Sequence, residues 1–266
     1  SPSDPPPEAW YTTNRVGIPA FVLGSAEFNT GRRRVRLHGT RETHRGLFSL
    51  LDPCANQEEA AEVFDHYLHL VARGGRGRGG GILTTLDLLR GWGMDSSSVH
   101  GAVLKGWVES RFGLVPTFHK EALGAFPSDA WATYLHEKNA PAYQACGINF
   151  QIDLLYEYCQ WSLWRFPPNR LRRLTLWRGS NDCEQQVLEG DLRDPWCVLR
   201  LNNLVSFTSS RERADEFGDW VLEAEIPTCK LLYFPGLIRE PVFNSEREYL
   251  VIGGAYRIDA RRSEYF

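Results

Sequence analysis

The chain has 266 residues, a formal net charge of −3, 42% apolar residues and 24% charged ones. That length admits one large domain or two modest ones around a sizeable core. The charge balance excludes a global positive field for nucleic acid or an anionic membrane. No apolar run reaches the roughly eighteen residues that a membrane-spanning helix needs.

The opening stretch SPSDPPPEAW, residues 1–10, reads as a Pro-rich tail, because it lacks the basic and apolar regions of a signal peptide. Six cysteines, Cys54, Cys146, Cys159, Cys183, Cys197 and Cys229, are scattered without a CxxC pair. The zinc-site and thioredoxin-like readings therefore fail. Reduced thiols and a cytoplasmic location are expected.

Residues 11–147 read as mainly helical. NQEEAAEVFDHYLHLVARG offers Asn56 as an N-cap and ends at Gly74. Val63, Tyr67 and Leu70 form its expected apolar stripe, with Phe64 and Leu68 beside it. GILTTLDLLRGWG and SSVHGAVLKGWVESRFG predict two further helices. Pro127-Ser128-Asp129 opens another. Ile148–Phe166 is a strong helix candidate that Pro167-Pro168 should stop.

Beyond it the texture changes. RLTLWRG, VSFTSS, WVLEAEIP, KLLYFPG and EREYLVIGG are short β-like runs, and ERADEFG suits a short helix between two of them. An α+β fold follows, with a core over residues 148–266 that is rich in short strands.

Three signals look chemical and have plainer readings. RGGRGRGGG, Arg73–Gly81, holds a literal GxGxxG, but a helix precedes it where a dinucleotide fingerprint needs a strand. A flexible interhelical loop is the expectation, although an Arg/Gly segment can also touch RNA or an acidic partner. RRRVR, Arg32–Arg36, reads as a solvated loop, with steering of an acidic protein as its functional alternative. His66 and His69 share a helical face without a third metal ligand nearby.

Three stretches of the β-rich half carry the chemistry. LTLWRGS is a strand ending in Arg178-Gly179. VSFTSSRERADEF is a strand with Phe207, Ser209 and Ser210, followed by a short helix. NSEREYLV places Glu246 and Glu248 two residues apart at the start of a strand, on one face. Like charges at that range raise each other's pKa. Alone, each stretch is also read blandly: a strand end, a turn former, a helix cap, a solvated or aggregation-guarding edge.

An Arg, then aromatic-x-Ser-Ser/Thr, then Glu-x-Glu resembles the Arg-Ser-Glu signature of mono-ADP-ribosyltransferases. YTTNRVGIPAFVLGSAEFN, Tyr11–Asn29, resembles the N-terminal segment of dinitrogenase reductase ADP-ribosyltransferases of nitrogen-fixing bacteria. The resemblance implies a split antiparallel β-sheet core with NAD, the ADP-ribose donor, in a cleft. It gives Glu248 the charge developing on the ribose, and Ser209 the task of holding Glu248. It places Arg178 at the NAD phosphates or adjacent ribose, and Gly179 at the nicotinamide carboxamide. Glu246 would select the acceptor, and a Glu at that position implies an arginine. Phe234–Ser245 falls where the family places its substrate-recognition loop. The implied partners are dinitrogenase reductase as protein substrate and a PII-type nitrogen signalling protein as regulator. An NAD glycohydrolase with the same residues, a non-catalytic NAD-binding module and a basic-loop RNA binder are the rival expectations.

Overall fold

A computed structural model of the chain describes residues 14–31, 33–74, 84–144, 147–170, 172–239 and 247–263. Two short helices come first, α1 (Ala20–Leu23) and α2 (Ala26–Thr30), followed by α3 (Thr40–Thr43) and α4 (Arg45–Leu51). Then come α5 (Gln57–Gly74), α6 (Thr85–Met94) and α7 (Val99–Phe112). A two-stranded ribbon, β1 (Phe118–His119) and β2 (Glu121–Ala122), leads to α8 (Asp129–Lys138), α9 (Pro141–Gln144) and α10 (Ile148–Arg165).

Local chemistry sets these boundaries. Asn56 accepts from the Glu59 amide at 2.9 Å and caps α5 as expected. Thr84 and Asp87 close a reciprocal capping box at the start of α6. Ser98 and Ser128 cap α7 and α8. Gly113 ends α7 in the left-handed region at φ 72°. The apolar stripe of α5 differs from the expectation. Ala60, Phe64 and Leu68 are buried, whereas Leu70 is 57% exposed. The partner surfaces of α4 and α10 select the face that is covered, and periodicity alone left two neighbouring stripes open.

Helix α10 is buried nearly all round, and its polar residues are partnered. Arg111 grips Asp153 in a forked pair at 2.7 and 2.9 Å, and the Trp107 indole donates to the same carboxylate at 2.8 Å. Glu157 pairs with Arg41 and accepts from the Leu37 amide. The helix stops at Phe166, just before Pro167.

The remaining strands are β3 (Arg173–Ser180), β4 (Val187–Glu189), β5 (Cys197–Thr208), β6 (Trp220–Pro227), β7 (Leu231–Tyr233) and β8 (Glu248–Arg262), with α11 (Arg211–Asp215) between β5 and β6. They form one six-stranded antiparallel sheet of order β4-β5-β3-β6-β8-β7, with β8 also paired to β5. β5 pairs with β8 along most of its length, β8 with β6 near its end, and β6 with the whole of β3. The circuit closes through a single residue pair, Trp177↔Thr208, between β3 and β5. The sheet is therefore split between β3 and β5, where few ladder bonds hold the strands together.

A register shift in β5 between Leu201 and Leu204 ties the helices to the sheet. Asn202 accepts from the Thr117 amide at 3.0 Å, and Asn203 donates to the Lys105 and Leu114 carbonyls, each at 2.9 Å. Opposite the shift stands Gly253, where an added Cβ would lie 1.7 Å from the Asn202 carbonyl oxygen. Helices and strands share one continuous hydrophobic core, from Val16 and Leu23 through α10 to β8. No helix among the described residues is long and apolar enough to cross a membrane.

Of the loops singled out in the sequence, Arg73–Gly81 is described only to Gly74, where α5 ends. A helix thus runs into the glycine-rich segment, as rejection of the fingerprint requires. Residues 240–246, including Glu246, lie outside the described residues.

Candidate active site

The split between β3 and β5 opens a cavity of about 450 Å³. Arg178 and Gly179 of β3 line it, facing Ser206 and Thr208 of β5 and Glu248 of β8. The turn of α11 and the C-terminal end of α6 complete the walls.

Strand parity decides which side chains meet. Thr208 stands opposite Glu248, and Ser206 opposite Leu250. Alternate residues share a face, so Ser206, Thr208 and Glu248 all point to the cleft side. Ser206 Oγ donates to Glu248 Oε1 at 2.6 Å, a short charge-assisted bond. Ser209, expected to hold Glu248, does not do so. It follows the last residue of β5 with the parity of Phe207, is exposed, and pairs with the Tyr249 hydroxyl instead. Ser206 is the residue that the motif reading missed. Ser210 caps α11 by accepting from the Arg213 amide at 3.2 Å.

Arg178 Nη1 donates to the Ser206 carbonyl at 2.8 Å, which bridges the split from the β3 side. Burial lowers its pKa from the ordinary value, against the pull of Glu248. A guanidinium stays charged even so. For Glu248, burial pushes the carboxyl above the ordinary range, while the Ser206 hydrogen bond and the Arg178 charge hold that rise back. Tyr233 of β7 is pushed up to about 12, by burial first and then by the Glu248 charge. Perturbation by burial plus a specific charge partner, inside a cleft, makes Glu248 a candidate for the working carboxylate.

Gly179 is required by close approach. A Cβ there would lie 2.2 Å from the Ala214 carbonyl oxygen and 3.0 Å from Phe217. The missing side chain lets the α11 turn seat against β3 and keeps backbone at the cavity wall. Phe207 is buried and packs in the core. Trp177, paired with Thr208, also lines the cavity, and its indole donates to Glu223 at 3.0 Å.

The helical portion contributes as well. Trp92, 4% exposed at the end of α6, donates its indole N–H to Ser206 Oγ at 2.9 Å. Met94, Asp95 and Ser96 continue the wall to the mouth, where Met94 is 84% and Phe217 58% exposed. No motif in the sequence marks Trp92. The spacing from Trp92 to Ser206 is a tertiary fact.

The residues present fit a dinucleotide donor. A cavity of this size takes a good part of such a molecule. Arg178 suits a phosphate or ribose, and a carboxylate rests at the opposite wall. Among the described residues no cluster of three or more metal-ligating side chains occurs.

Comparison with known proteins identifies the family. Residues 13–260 match the family described as dinitrogenase reductase ADP-ribosyltransferase. The NAD(+)–dinitrogen-reductase ADP-D-ribosyltransferase of Rhodospirillum rubrum is 42% identical over 267 aligned positions, covering 96% of each chain. No solved structure matches. With nearly the whole chain matched, and with Arg178 and Glu248 converging on one cleft, the protein belongs to the dinitrogenase reductase ADP-ribosyltransferase family.

Proposed function

We propose that the chain transfers ADP-ribose from NAD to an arginine of dinitrogenase reductase, and so switches nitrogenase off. One observation carries the assignment of the site: Glu248, held by Ser206, shares a cleft with Arg178, although the three residues come from three strands far apart in the chain. NAD supplies an ADP-ribosyl group on nicotinamide, a leaving group whose ring nitrogen already carries positive charge and needs no general acid. Glu248 supplies negative charge where positive charge develops on the sugar. Its partners keep it aimed and favour the ionised form. Arg178 binds the anionic part of the donor and holds the reacting end toward Glu248. Gly179 offers backbone at the cavity wall, where any side chain would displace α11.

Glu246 is assigned to the acceptor. An arginine side chain in water has its neutral form roughly 7 kcal/mol uphill at pH 7. A carboxylate that orients the guanidinium in a forked pair and takes its proton removes much of that barrier. The exposed apolar residues Met94 and Phe217 at the cavity mouth suit a protein acceptor better than water, which favours transfer over NAD hydrolysis. Regulation by a PII-type signalling protein, implied by the resemblance, and a cytoplasmic location, expected from the scattered cysteines, belong to the same proposal.

Labelled NAD incubated with dinitrogenase reductase tests the assignment. Glu248→Gln should abolish nicotinamide release. Glu246→Gln should retain release and lose label transfer to arginine. Equal activity of both variants and the parent would discard the assignment.

A further inference from the structure

We propose that Trp92 is a positioning residue for the NAD-cleaving carboxylate: its indole N–H occupies the Ser206 hydroxyl oxygen and commits that hydroxyl's one proton to Glu248. The inference rests on the role given to Glu248 above. It makes the helical portion of the chain a working part of the active site.

The hydrogen-bond inventory leads there. An indole N–H can only donate, while a serine hydroxyl has one proton and two lone pairs. Trp92 Nε1 lies 2.9 Å from Ser206 Oγ, and the same oxygen lies 2.6 Å from Glu248 Oε1. Since Trp92 must donate, one lone pair of Ser206 is taken and its proton goes to the carboxylate. A hydroxyl that accepts one hydrogen bond is polarised and donates a stronger second one. Arg178 does not compete, because its guanidinium uses the Ser206 carbonyl. The three-residue line Trp92–Ser206–Glu248 thus has one direction.

Trp92 is itself held. It is 4% exposed at the end of a helix started by the Thr84–Asp87 capping box. The Lys105 ammonium of α7 lies 5.9 Å from its ring centroid. Among the described residues, Arg178 of β3 and Tyr233 of β7 are coupled to Glu248 by charge, and Asp95 after α6 and Arg213 of α11 line the same cavity; all four are kept when Trp92 is replaced.

Trp92→Phe keeps a buried ring and removes the N–H. The expected result is a fall in kcat for nicotinamide release of about 3- to 10-fold, the rate equivalent of one hydrogen bond. KM for NAD should stay within about twofold of the parent, the usual additivity error. The acid limb of the kcat–pH profile should move to higher pH. In a Ser206→Ala background, Trp92→Phe should change kcat by less than about twofold, because the line is already cut. β-(3-Benzothienyl)alanine at position 92 preserves the ring's shape and deletes only the N–H, so it reports the same quantity should the phenylalanine variant fold poorly.

A parent-like kcat and acid limb in the benzothienyl protein would overturn the proposal. So would an equal loss from Trp92→Phe with and without Ser206, since the effect would then be one of packing. Glu248→Gln separates this test from the reading beneath it. If that variant is inactive while position 92 is silent, the role of Trp92 fails alone. If Glu248→Gln retains parent activity, the site assignment fails with it.

Discussion

Replacing Ser206 by alanine tests the geometry of the cleft most directly, with Ser209→Ala as its partner. Ser206 Oγ donates to Glu248 at 2.6 Å, in the short range of hydrogen bonds to a charged acceptor. Such bonds contribute about 1.5–3 kcal/mol. Glu248 is half-buried at the cavity wall, and in the proposed reaction the same carboxylate must hold its aim as the glycosidic bond breaks. If that energy is realised in the transition state, Ser206→Ala lowers kcat for nicotinamide release roughly 10- to 150-fold. Ser209 is exposed and pairs with Tyr249 on the other side of the strand. Ser209→Ala should therefore leave kcat within about twofold, as surface substitutions usually do. Steady-state nicotinamide release from NAD, measured for parent and both variants, gives the comparison. A larger loss for Ser209→Ala than for Ser206→Ala would refute the parity argument that places Ser206 beside Glu248.

Gly179→Ala should destabilise the chain by about 1–3 kcal/mol, the range for overpacking, because its Cβ would meet the Ala214 carbonyl oxygen at 2.2 Å. Urea unfolding reads the loss, and reduced nicotinamide release should accompany it. Glu248→Gln should be more stable than the parent near neutral pH. Burial raises the folded-state pKa of Glu248, so ionising it penalises the folded chain as pH rises through that pKa. The gain in thermal midpoint should shrink as pH falls toward the ordinary carboxylate range, and a pH-independent gain would count against burial as its cause. Asp153→Asn leaves the buried Arg111 without its forked partner, and should cost about 3–5 kcal/mol in urea unfolding. A loss under about 1 kcal/mol would mean that the pair is solvated.

Much of the architecture was legible because local chemistry dictates it. Asn56 caps α5, Ser128 caps α8, Gly74 lies at the end of α5, and Pro167 stops α10, each by a backbone rule that acts within a few residues. The β-like runs became strands for the same reason, although β5 and β8 extend further than their sequence signals, to Cys197 and Arg262. Propensity marks where a strand is strongest, and the length actually paired depends on neighbours. The order of Arg178, the serine-rich strand and Glu248 pointed to the transferase family through its resemblance to the family signature.

The choice between Ser206 and Ser209 was open to sequence reasoning and was missed. With Phe207 in the core, a period of two places Ser209 on the Phe207 side and Ser206 on the other. Trp92 could not have been found that way. It lies 114 positions from Ser206, and only the folding of α6 against the sheet brings the two together. By itself, then, the sequence determined the α+β texture and the ends of most helices, because these depend on short-range backbone chemistry, and its motif order pointed to the family by resemblance. Tertiary structure alone decided where the sheet splits and that an indole from the helical portion bonds the serine beside the carboxylate. Strand register and helix docking are settled by packing over the whole core, and no local stretch of chain contains that information.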